Sequence, residues 1–278
     1  MNELDRLGTE GARPGLEHLN DRPPAAIVDV LLEAEARVPA VLAAASAQLA
    51  AAVEVVERGL RAGGRVLYVG AGTPGRLAAL DAAECVPTFG VPPGLVTAIL
   101  AGGPQAAGRA VEGAEDDDVA GAADLRAETP GPDDTIVGIT ASGRTPYVLG
   151  ALDAARAAGA ATIAIVNNPG SAAAARADVA VELLTGPEVI AGSTRLTAGT
   201  SQKIALNALS TAAMVRIGRT YGPWMVDVLA TNEKLRRRAQ RMIVTISGAS
   251  EEAAADALRD AGGDVRKALS ALRDRSTA

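Results

Sequence analysis

The sequence contains one cysteine, Cys85, and one histidine, His18, among its 278 residues. A single cysteine excludes a disulfide framework within the chain. Cysteine and histidine are also the usual protein ligands of zinc and iron, so these counts leave almost nothing from which such a site could be built. Any catalysis must therefore rest on carboxylates, hydroxyls, arginines and backbone amides, and we expect neither a metal nor another cofactor.

The sequence also has no excess of basic residues. It contains 27 Lys and Arg and 33 Asp and Glu, which give a net charge of −6. That balance provides no basic footprint, so we expect no nucleic-acid partner. The most apolar helical stretch, residues 38–60, is rich in alanine and broken by polar and charged residues, which indicates a packed helix and no membrane partner. The first residues show neither a basic leader nor an apolar segment, and we expect a cytoplasmic protein.

Short apolar segments rich in β-branched residues alternate with helical patterns through the middle of the chain. The segments that predict strands are 65–69, 95–100, 135–140, 161–166 and 178–183. The helical patterns between them lie at about 75–83, 103–112, 117–127 and 145–158. This alternation predicts an α/β fold in which helices cover both faces of a parallel sheet.

Further helices are predicted on either side of this alternation. They lie at about 24–36, 38–62, 193–219 and 223–242, with two short helices around Gly262-Gly263 at the end. Residues 1–23 are polar and contain Pro and Gly, which predicts an N-terminal arm. We therefore divide the chain into the arm at 1–23, an α/β domain with flanking helices at 24–245, and a small helical region at 246–278.

Two similar loops follow predicted strands, VGAGTPGRL at 69–77 and GITASGRTPYV at 138–148. Each passes through small and hydroxyl-bearing residues and reaches Gly-Arg where a helix should begin. Open α/β sheets bind ligands at such loops, and helix N-termini suit phosphate. We predict that both loops converge on one anion, which backbone N–H groups and the hydroxyls of Thr73, Ser142 and Thr145 would bind.

The glycines of the first loop, Gly70, Gly72 and Gly75, also fit the G-x-G-x-x-G pattern of dinucleotide-binding loops. That fingerprint expects an Asp or Glu about 20 residues later to bind the ribose. No acidic residue lies between Glu84 and Glu112. The sequence therefore favours another phosphate over a dinucleotide.

Five stretches resemble the N-acetylmuramic acid 6-phosphate etherases and occur in the same order as in that family. They are GAGTPGRLAALDAAECVPTFGVPP (70–93), AVEGAEDD (110–117), ASGRTPYV (141–148), GPEVIAGSTRLTAGTSQKIALNALSTAAMVRIG (186–218) and MVDVLATNEKL (225–235). The resemblance implies a three-layer α/β/α, flavodoxin-like domain of the sugar-isomerase (SIS) class with a five-stranded parallel sheet. It also implies a homodimer and a small, UBA-like helical region at the C-terminus.

The resemblance implies a lyase that removes the D-lactyl ether from C3 of N-acetylmuramic acid 6-phosphate and leaves N-acetylglucosamine 6-phosphate and D-lactate. Elimination followed by hydration needs two acid/base groups and no metal or redox cofactor. Carried over by motif, these groups are Glu84 in DAAEC, the proton donor to the lactyl oxygen, and Glu115 in GAED, acting at C2. A donor carboxyl must stay protonated, so we expect apolar residues such as Phe89 to bury Glu84 and raise its pKa.

The resemblance also extends the predicted set of sugar-phosphate ligands. That set comprises Gly72, Thr73, Glu112, Ser142, Gly143, Arg144, Thr145, Ser193 and Thr194. Without the resemblance, Glu84, Glu112 and Glu115 are typical of solvated helix residues, and the hydroxyl-bearing residues are typical of helix caps. The acidic run 115–118 favours a helix start over a divalent-ion site. Two alternative functions stay open: a non-catalytic phosphosugar regulator, like the glucokinase regulatory protein, and an aldose–ketose phosphosugar isomerase.

The sequence departs from the family pattern at four places. TEGARPG (9–15) does not include the Asn that is usual after Thr-Glu, the usual C-terminal segment with a His-Gly-Gly stretch is not present, and two single residues differ near the predicted ligands. Pro74 stands in the first loop where Ser is usual, and Thr197 follows GSTRL where Lys is usual. Pro74 removes a hydroxyl and a backbone N–H, although proline suits the first turn of a helix. None of the four departures changes Glu84 or Glu115.

Overall fold

A computed structural model of the chain describes residues 7–227 and 233–276, and the structural statements below concern those residues. They form two units, each with its own internal contacts. The first unit contains the described residues up to 83 and residues 94–213, and the second contains residues 84–93 and the described residues from 214 onward.

A five-stranded parallel sheet forms the centre of the first unit. Its strands are β1 (Val66–Gly70), β2 (Val96–Leu100), β3 (Thr135–Thr140), β4 (Ala161–Val166) and β5 (Val179–Glu182). They lie in the order β2-β1-β3-β4-β5, so the chain moves from β1 to the edge and then returns to the other side of β1. The predicted five-stranded parallel sheet is confirmed.

Ten α-helices are described. They are α1 (Pro24–Glu35), α2 (Val38–Ala44), α3 (Ser46–Ala62), α4 (Gly72–Phe89), α5 (Asp118–Ala127), α6 (Pro146–Ala157), α7 (Thr197–Arg216), α8 (Glu233–Ser247), α9 (Glu251–Asp260) and α10 (Val265–Ser276). Among the described residues no single helix could cross a membrane; the bent pair Pro24–Ala44 and Ser46–Ala62 passes that test jointly, by length and composition only.

Helices cover both faces of the sheet. Leu67 of β1 is completely buried in a cluster with α5 and α6. Because side chains alternate along a strand, Tyr68 points to the opposite face, where its hydroxyl donates to Asp81 of α4 at 2.9 Å. Helix α3 lies on that face too, since a Cβ on Gly59 would sit 2.9 Å from Thr135 Oγ1. The predicted three-layer α/β/α arrangement is confirmed.

The prediction of a helix at 103–112 is wrong, because the structure has only a 3₁₀ turn at Pro104–Ala107. Gly102 and Gly103 have φ angles of +84° and +72°, which an α-helix does not use. Gly102 is also held against Val111, whose side chain would lie 2.9 Å from a Cβ at that glycine. The segment therefore closes on itself as a loop.

The predicted helix at 223–242 begins later than expected, at Glu233. Tyr221 and Trp224 instead exchange backbone hydrogen bonds of 2.9 and 3.0 Å around Gly222-Pro223, which forms a turn. Residues 228–232 of this prediction lie outside the described residues.

The second unit has a small helical core. Its buried members include Met242 and Ile243 from α8, Leu258 from α9 and Leu269 from α10. Helices α9 and α10 are the two short helices predicted around Gly262-Gly263. The domain boundaries at 23/24 and 245/246 stay predictions, and residues 1–6, 277 and 278 of the terminal segments lie outside the described part of the chain.

Candidate functional site

The loops after β1 and β3 begin side by side at the carboxyl end of the sheet. Both follow the carboxyl ends of adjacent parallel strands, since Gly70 of β1 pairs with Ile139 of β3. The strand order reverses between these two strands, and open α/β sheets bind ligands at such a switch point. Residues 71–75 and 141–145 therefore occupy the place where this fold would hold a ligand.

The first loop turns tightly from β1 into α4. A Cβ on Gly70 would lie 2.8 Å from the Gly75 nitrogen, and a Cβ on Gly75 would lie 2.0 Å from Leu100 Cδ1, so neither position accepts a side chain. Thr73 is half-buried in the first turn of α4, with its methyl 3.3 Å from where a Cβ of Gly199 would be. This turn brings one predicted ligand, Thr73, and the N-terminus of α4 to the carboxyl end of the sheet.

Pro74 and Thr197, the two single-residue departures near the predicted ligands, are both buried. Pro74 lies in the first turn of α4, where its missing N–H costs no helical hydrogen bond. Thr197 is 2% exposed at the first position of α7. A lysine at that position would have to carry its charge out of a buried place, so the threonine suits its surroundings here.

Thr140, the last residue of β3, organises the second loop. Its Oγ1 lies 2.7 Å from Thr145 Oγ1 and 3.3 Å from Ser142 Oγ, and accepts the Gly143 N–H at 3.2 Å. Ser142 Oγ in turn accepts the Arg144 N–H at 3.2 Å. Four predicted ligands thus share one network just before α6 begins. Thr140 was not predicted, because a threonine inside an apolar strand carries no local signal of this role.

Gly143 allows the second loop to approach the segment after β4. Its φ is +69°, and a Cβ there would lie 2.2 Å from Ser171 Oγ. The Gly143 carbonyl accepts the Ala173 N–H at 2.9 Å. The second loop is therefore held from outside as well as by its own hydroxyls.

The third predicted set, Ser193 and Thr194, lies on the loop before α7, because this helix begins at Thr197 and not at 193. The Glu188 carboxylate accepts the Thr197 N–H at 3.0 Å and the Ala198 N–H at 2.9 Å, and Glu188 is completely buried. An internal anion thus already occupies the N-terminus of α7. Glu188 was not predicted, because an acid nine residues before its helix is no local capping signal.

Glu84 and Glu115 are both exposed. Glu84 lies on the part of α4 that belongs to the second unit, and Glu115 lies in a 3₁₀ turn of the first unit. The expectation that Glu84 is buried is wrong for the single chain. Cys85 and Phe89, four residues apart, take the buried face of α4 and leave Glu84 on the neighbouring exposed face.

The acidic residues after β2 are solvated. Glu112 is exposed and lies on a loop. Asp117 caps α5, since its side chain accepts the Ala120 N–H at 2.8 Å. Within residues 7–227 and 233–276, no three His, Cys, Asp or Glu side chains come together to hold a metal ion.

A buried carboxylate joins three elements behind the first loop. Asp81 of α4 accepts hydrogen bonds from the hydroxyls of Tyr68 on β1 at 2.9 Å and Ser210 on α7 at 3.1 Å. Burial raises the pKa of Asp81, against the opposing effects of these two hydrogen bonds and the Lys203 charge. This cluster fixes α4, and with it the first loop, to the sheet and to α7.

Two family models match the chain. The glucokinase regulatory protein N-terminal SIS domain matches residues 48–156, and the SIS domain matches residues 118–212. Together they cover the sheet, the loops after β1 and β3 and most of α7, in agreement with the fold described above.

Relatives match over almost the whole chain. An N-acetylmuramic acid 6-phosphate etherase of Symbiobacterium thermophilum is 51% identical over 270 residues, covering 97% of this chain and 90% of the relative. The protein of the same name from Rubrobacter xylanophilus is 49% identical over 269 residues, with 97% and 89% covered. Among solved structures, a Bacteroides fragilis protein described as a phosphosugar isomerase involved in capsule formation has a TM-score of 0.53 at 24% identity, covering 72% of this chain and 99% of that one. That likeness shows the fold alone.

Proposed function

The chain belongs to the N-acetylmuramic acid 6-phosphate etherase family, and we propose that it is a lyase that removes the D-lactyl ether of N-acetylmuramic acid 6-phosphate. The observation that carries this proposal is the extent of the similarity, 51% identity over 97% of the chain. A shared SIS domain alone would support only sugar-phosphate binding. The match here also covers the stretches that contain Glu84 and Glu115.

We propose that the sugar phosphate binds between the loops after β1 and β3. Both loops lead into helix N-termini, those of α4 and α6, and a helix N-terminus suits a phosphate. The hydroxyls of Thr73, Ser142 and Thr145 lie in or beside the first turns of these helices. The N-terminus of α7 is less suited to the phosphate, because Glu188 already holds its first N–H groups. Ser193 and Thr194 would contact the sugar instead.

The proposed chemistry begins with the open-chain aldehyde of the substrate, in which the carbonyl makes the C2 proton acidic. The Glu115 carboxylate takes that proton, the C2–C3 double bond forms and the C3–O bond breaks. Protonated Glu84 gives its proton to the departing lactyl oxygen, which leaves as D-lactate. Ionised Glu84 then takes a proton from water as hydroxide adds at C3, and Glu115 returns its proton to C2. Both carboxyl groups end in their starting states.

We also propose that the protein works as a homodimer. Several large apolar side chains of the first unit are exposed, and they are candidates for the surface that the second copy would cover. Val28 and Leu32 lie one turn apart on α1 with 51% and 62% of their surfaces exposed, and Ile204 on α7 is 39% exposed. Size-exclusion chromatography with light scattering should give about 56 kDa, twice the 27.9 kDa of one chain.

A cytoplasmic location is part of the proposal. The charge of a sugar phosphate keeps it in the compartment in which it was phosphorylated, because charged groups do not cross a bilayer readily. Cell fractionation should recover lactate-releasing activity with the cytoplasmic fraction, and activity in the membrane pellet would contradict this part.

The experiment for the reaction measures D-lactate released from N-acetylmuramic acid 6-phosphate. Glu84→Gln and Glu115→Gln should each lower kcat by about 100-fold or more, because each removes a proton-transferring group while keeping its size. Glu54→Gln, at an exposed position of α3, is the matched control and should keep full activity. Full activity in both site variants would show that the carboxylate pair is assigned wrongly.

The match of residues 48–156 to the glucokinase regulatory protein domain favours one second candidate, a non-catalytic sensor of sugar phosphates. The same assay separates the two. A sensor would bind N-acetylglucosamine 6-phosphate in calorimetry and release no lactate from the etherase substrate.

A further inference from the structure

We propose that Thr9, acting through Asn168, is a positioning residue for the sugar-phosphate loop that follows β3. The inference rests on the proposed function. It assigns a role to the N-terminal arm, which neither the loop motifs nor the carboxylate pair includes.

The contact is direct and completely buried. The Asn168 side-chain amide donates to Thr9 Oγ1 and to the Ala141 carbonyl, each at 2.9 Å. Thr9 is 0% exposed and Asn168 is 2% exposed. Ala141 is the first residue of the loop and precedes Ser142. One amide therefore joins the arm to the start of the loop.

The arm also lies beside residues 187–192, the segment that precedes Ser193. A Cβ on Gly11 would lie 3.9 Å from Pro187 Cβ, and a Cβ on Gly192 would lie 3.1 Å from Glu10 Oε2. The arm therefore lies against the segment that precedes Ser193 and Thr194. It also contacts Asn168, which supports the loop after β3. Both contacts lie within the first unit.

The orientation of the Asn168 side-chain amide indicates that this residue positions the loop after β3 rather than only stabilising the fold. Asn168 Oδ1 is buried and has no hydrogen-bond partner among the described residues. A buried acceptor without a partner costs stability. The two donated bonds therefore decide how the side chain lies, and both serve to fix the arm and the loop. Loop donors must be held to a fraction of an ångström to recognise a phosphate, so the loss of this support should weaken substrate binding.

The test compares two substitutions of Thr9 by lactate-release kinetics. Thr9→Val keeps the shape but leaves one proton of the Asn168 amide without its acceptor, and should raise KM about tenfold with kcat changed less than about threefold. Thr9→Ser restores the acceptor and should keep KM within about twofold of the unsubstituted chain. This division between KM and kcat is expected because the proposed acid/base groups, Glu84 and Glu115, are not held by Thr9.

Thr162→Val is the matched control for stability. Thr162 is also 0% exposed, and its hydroxyl donates to Asp178 at 2.9 Å near the opposite end of β4. This substitution should lower the Tm while KM stays unchanged. If Thr9→Val behaves like Thr162→Val, with a lower Tm and an unchanged KM, the arm only stabilises the fold and the proposal is overturned.

The design separates this inference from the proposed reaction. If the unsubstituted chain releases no lactate, the reaction proposal fails, and the same variants are compared by calorimetry for binding of N-acetylglucosamine 6-phosphate. A tenfold weaker Kd for Thr9→Val alone would still support positioning, and equal Kd values would overturn it. If Thr9→Val does not fold, Asn168→Asp takes its place, because it removes the donating amide at the same size and should raise KM at least as much.

Discussion

Glu188→Gln should lower the free energy of unfolding of the first unit by about 1–3 kcal/mol. In the native protein each carboxylate oxygen accepts one backbone N–H, from Thr197 at 3.0 Å and from Ala198 at 2.9 Å. Glutamine has the same size, but its amide group presents only one acceptor. One of the two N–H groups is then left facing another donor in a completely buried place.

Two further effects of this substitution oppose each other. The loss of the negative charge removes an attraction to the N-terminus of α7, of about 0.3–2 kcal/mol. It also recovers part of the desolvation cost of a buried carboxylate. The unsatisfied N–H group therefore determines the net effect. For a unit of about 200 residues, the expected fall in Tm is roughly 2–12 °C.

Urea unfolding at neutral pH, followed by far-ultraviolet circular dichroism, measures this difference. Glu188→Ala should cost more, since it deprives both N–H groups of an acceptor and leaves a cavity. Glu54→Gln, at an exposed position of α3, should stay within about 0.5 kcal/mol of the unsubstituted chain. If Glu188→Gln is as stable as Glu54→Gln, the carboxylate does not hold α7 in the way described here.

Two further predictions concern the second loop and the cluster behind the first. Ser142→Ala should weaken binding of N-acetylglucosamine 6-phosphate at least tenfold more than binding of the unphosphorylated sugar, as measured by calorimetry; equal weakening would place the phosphate elsewhere. Because burial raises the pKa of Asp81 from its ordinary value of 3.8, its folded state holds the proton more tightly than the unfolded state. The stability linked to this proton is present below that value and is lost as the pH rises through the raised pKa. Asp81→Asn removes this loss. Between about pH 3 and pH 7 the free energy of unfolding of the variant should therefore fall less than that of the unsubstituted chain. If the free energies of unfolding of the two proteins change in parallel with pH, the raised pKa is contradicted.

The sheet was predictable because its strands carry their own signal. Strands β3 and β4 have the predicted bounds, 135–140 and 161–166, since each is a continuous apolar run between polar turns. The segment 103–112 misled the prediction because its alanines favour a helix. What prevents the helix is the contact of Gly102 with Val111, which local propensity does not contain.

The loops of the candidate site were predictable, but their supports were not. The hydroxyls of Ser142 and Thr145 follow a strand in sequence, so a local motif finds them. Asn168 and Glu188 act on residues that no local pattern connects to them. The exposure of Glu84 depends on which face of α4 packs, and Cys85 and Phe89 decide that through their contacts.

The bond between Thr9 and Asn168 also has a consequence for biosynthesis, because the two residues are 159 positions apart. At about 5–20 residues per second, a ribosome needs roughly 8–30 s to make the chain between them. Thr9 can therefore form this bond only after Asn168 has been made. In the same way, the central strand β1 can pair with β3 only after β3 has been made, since Val66 pairs with Thr135. The loop after β3 can receive the support of Asn168 only after β4 has been made.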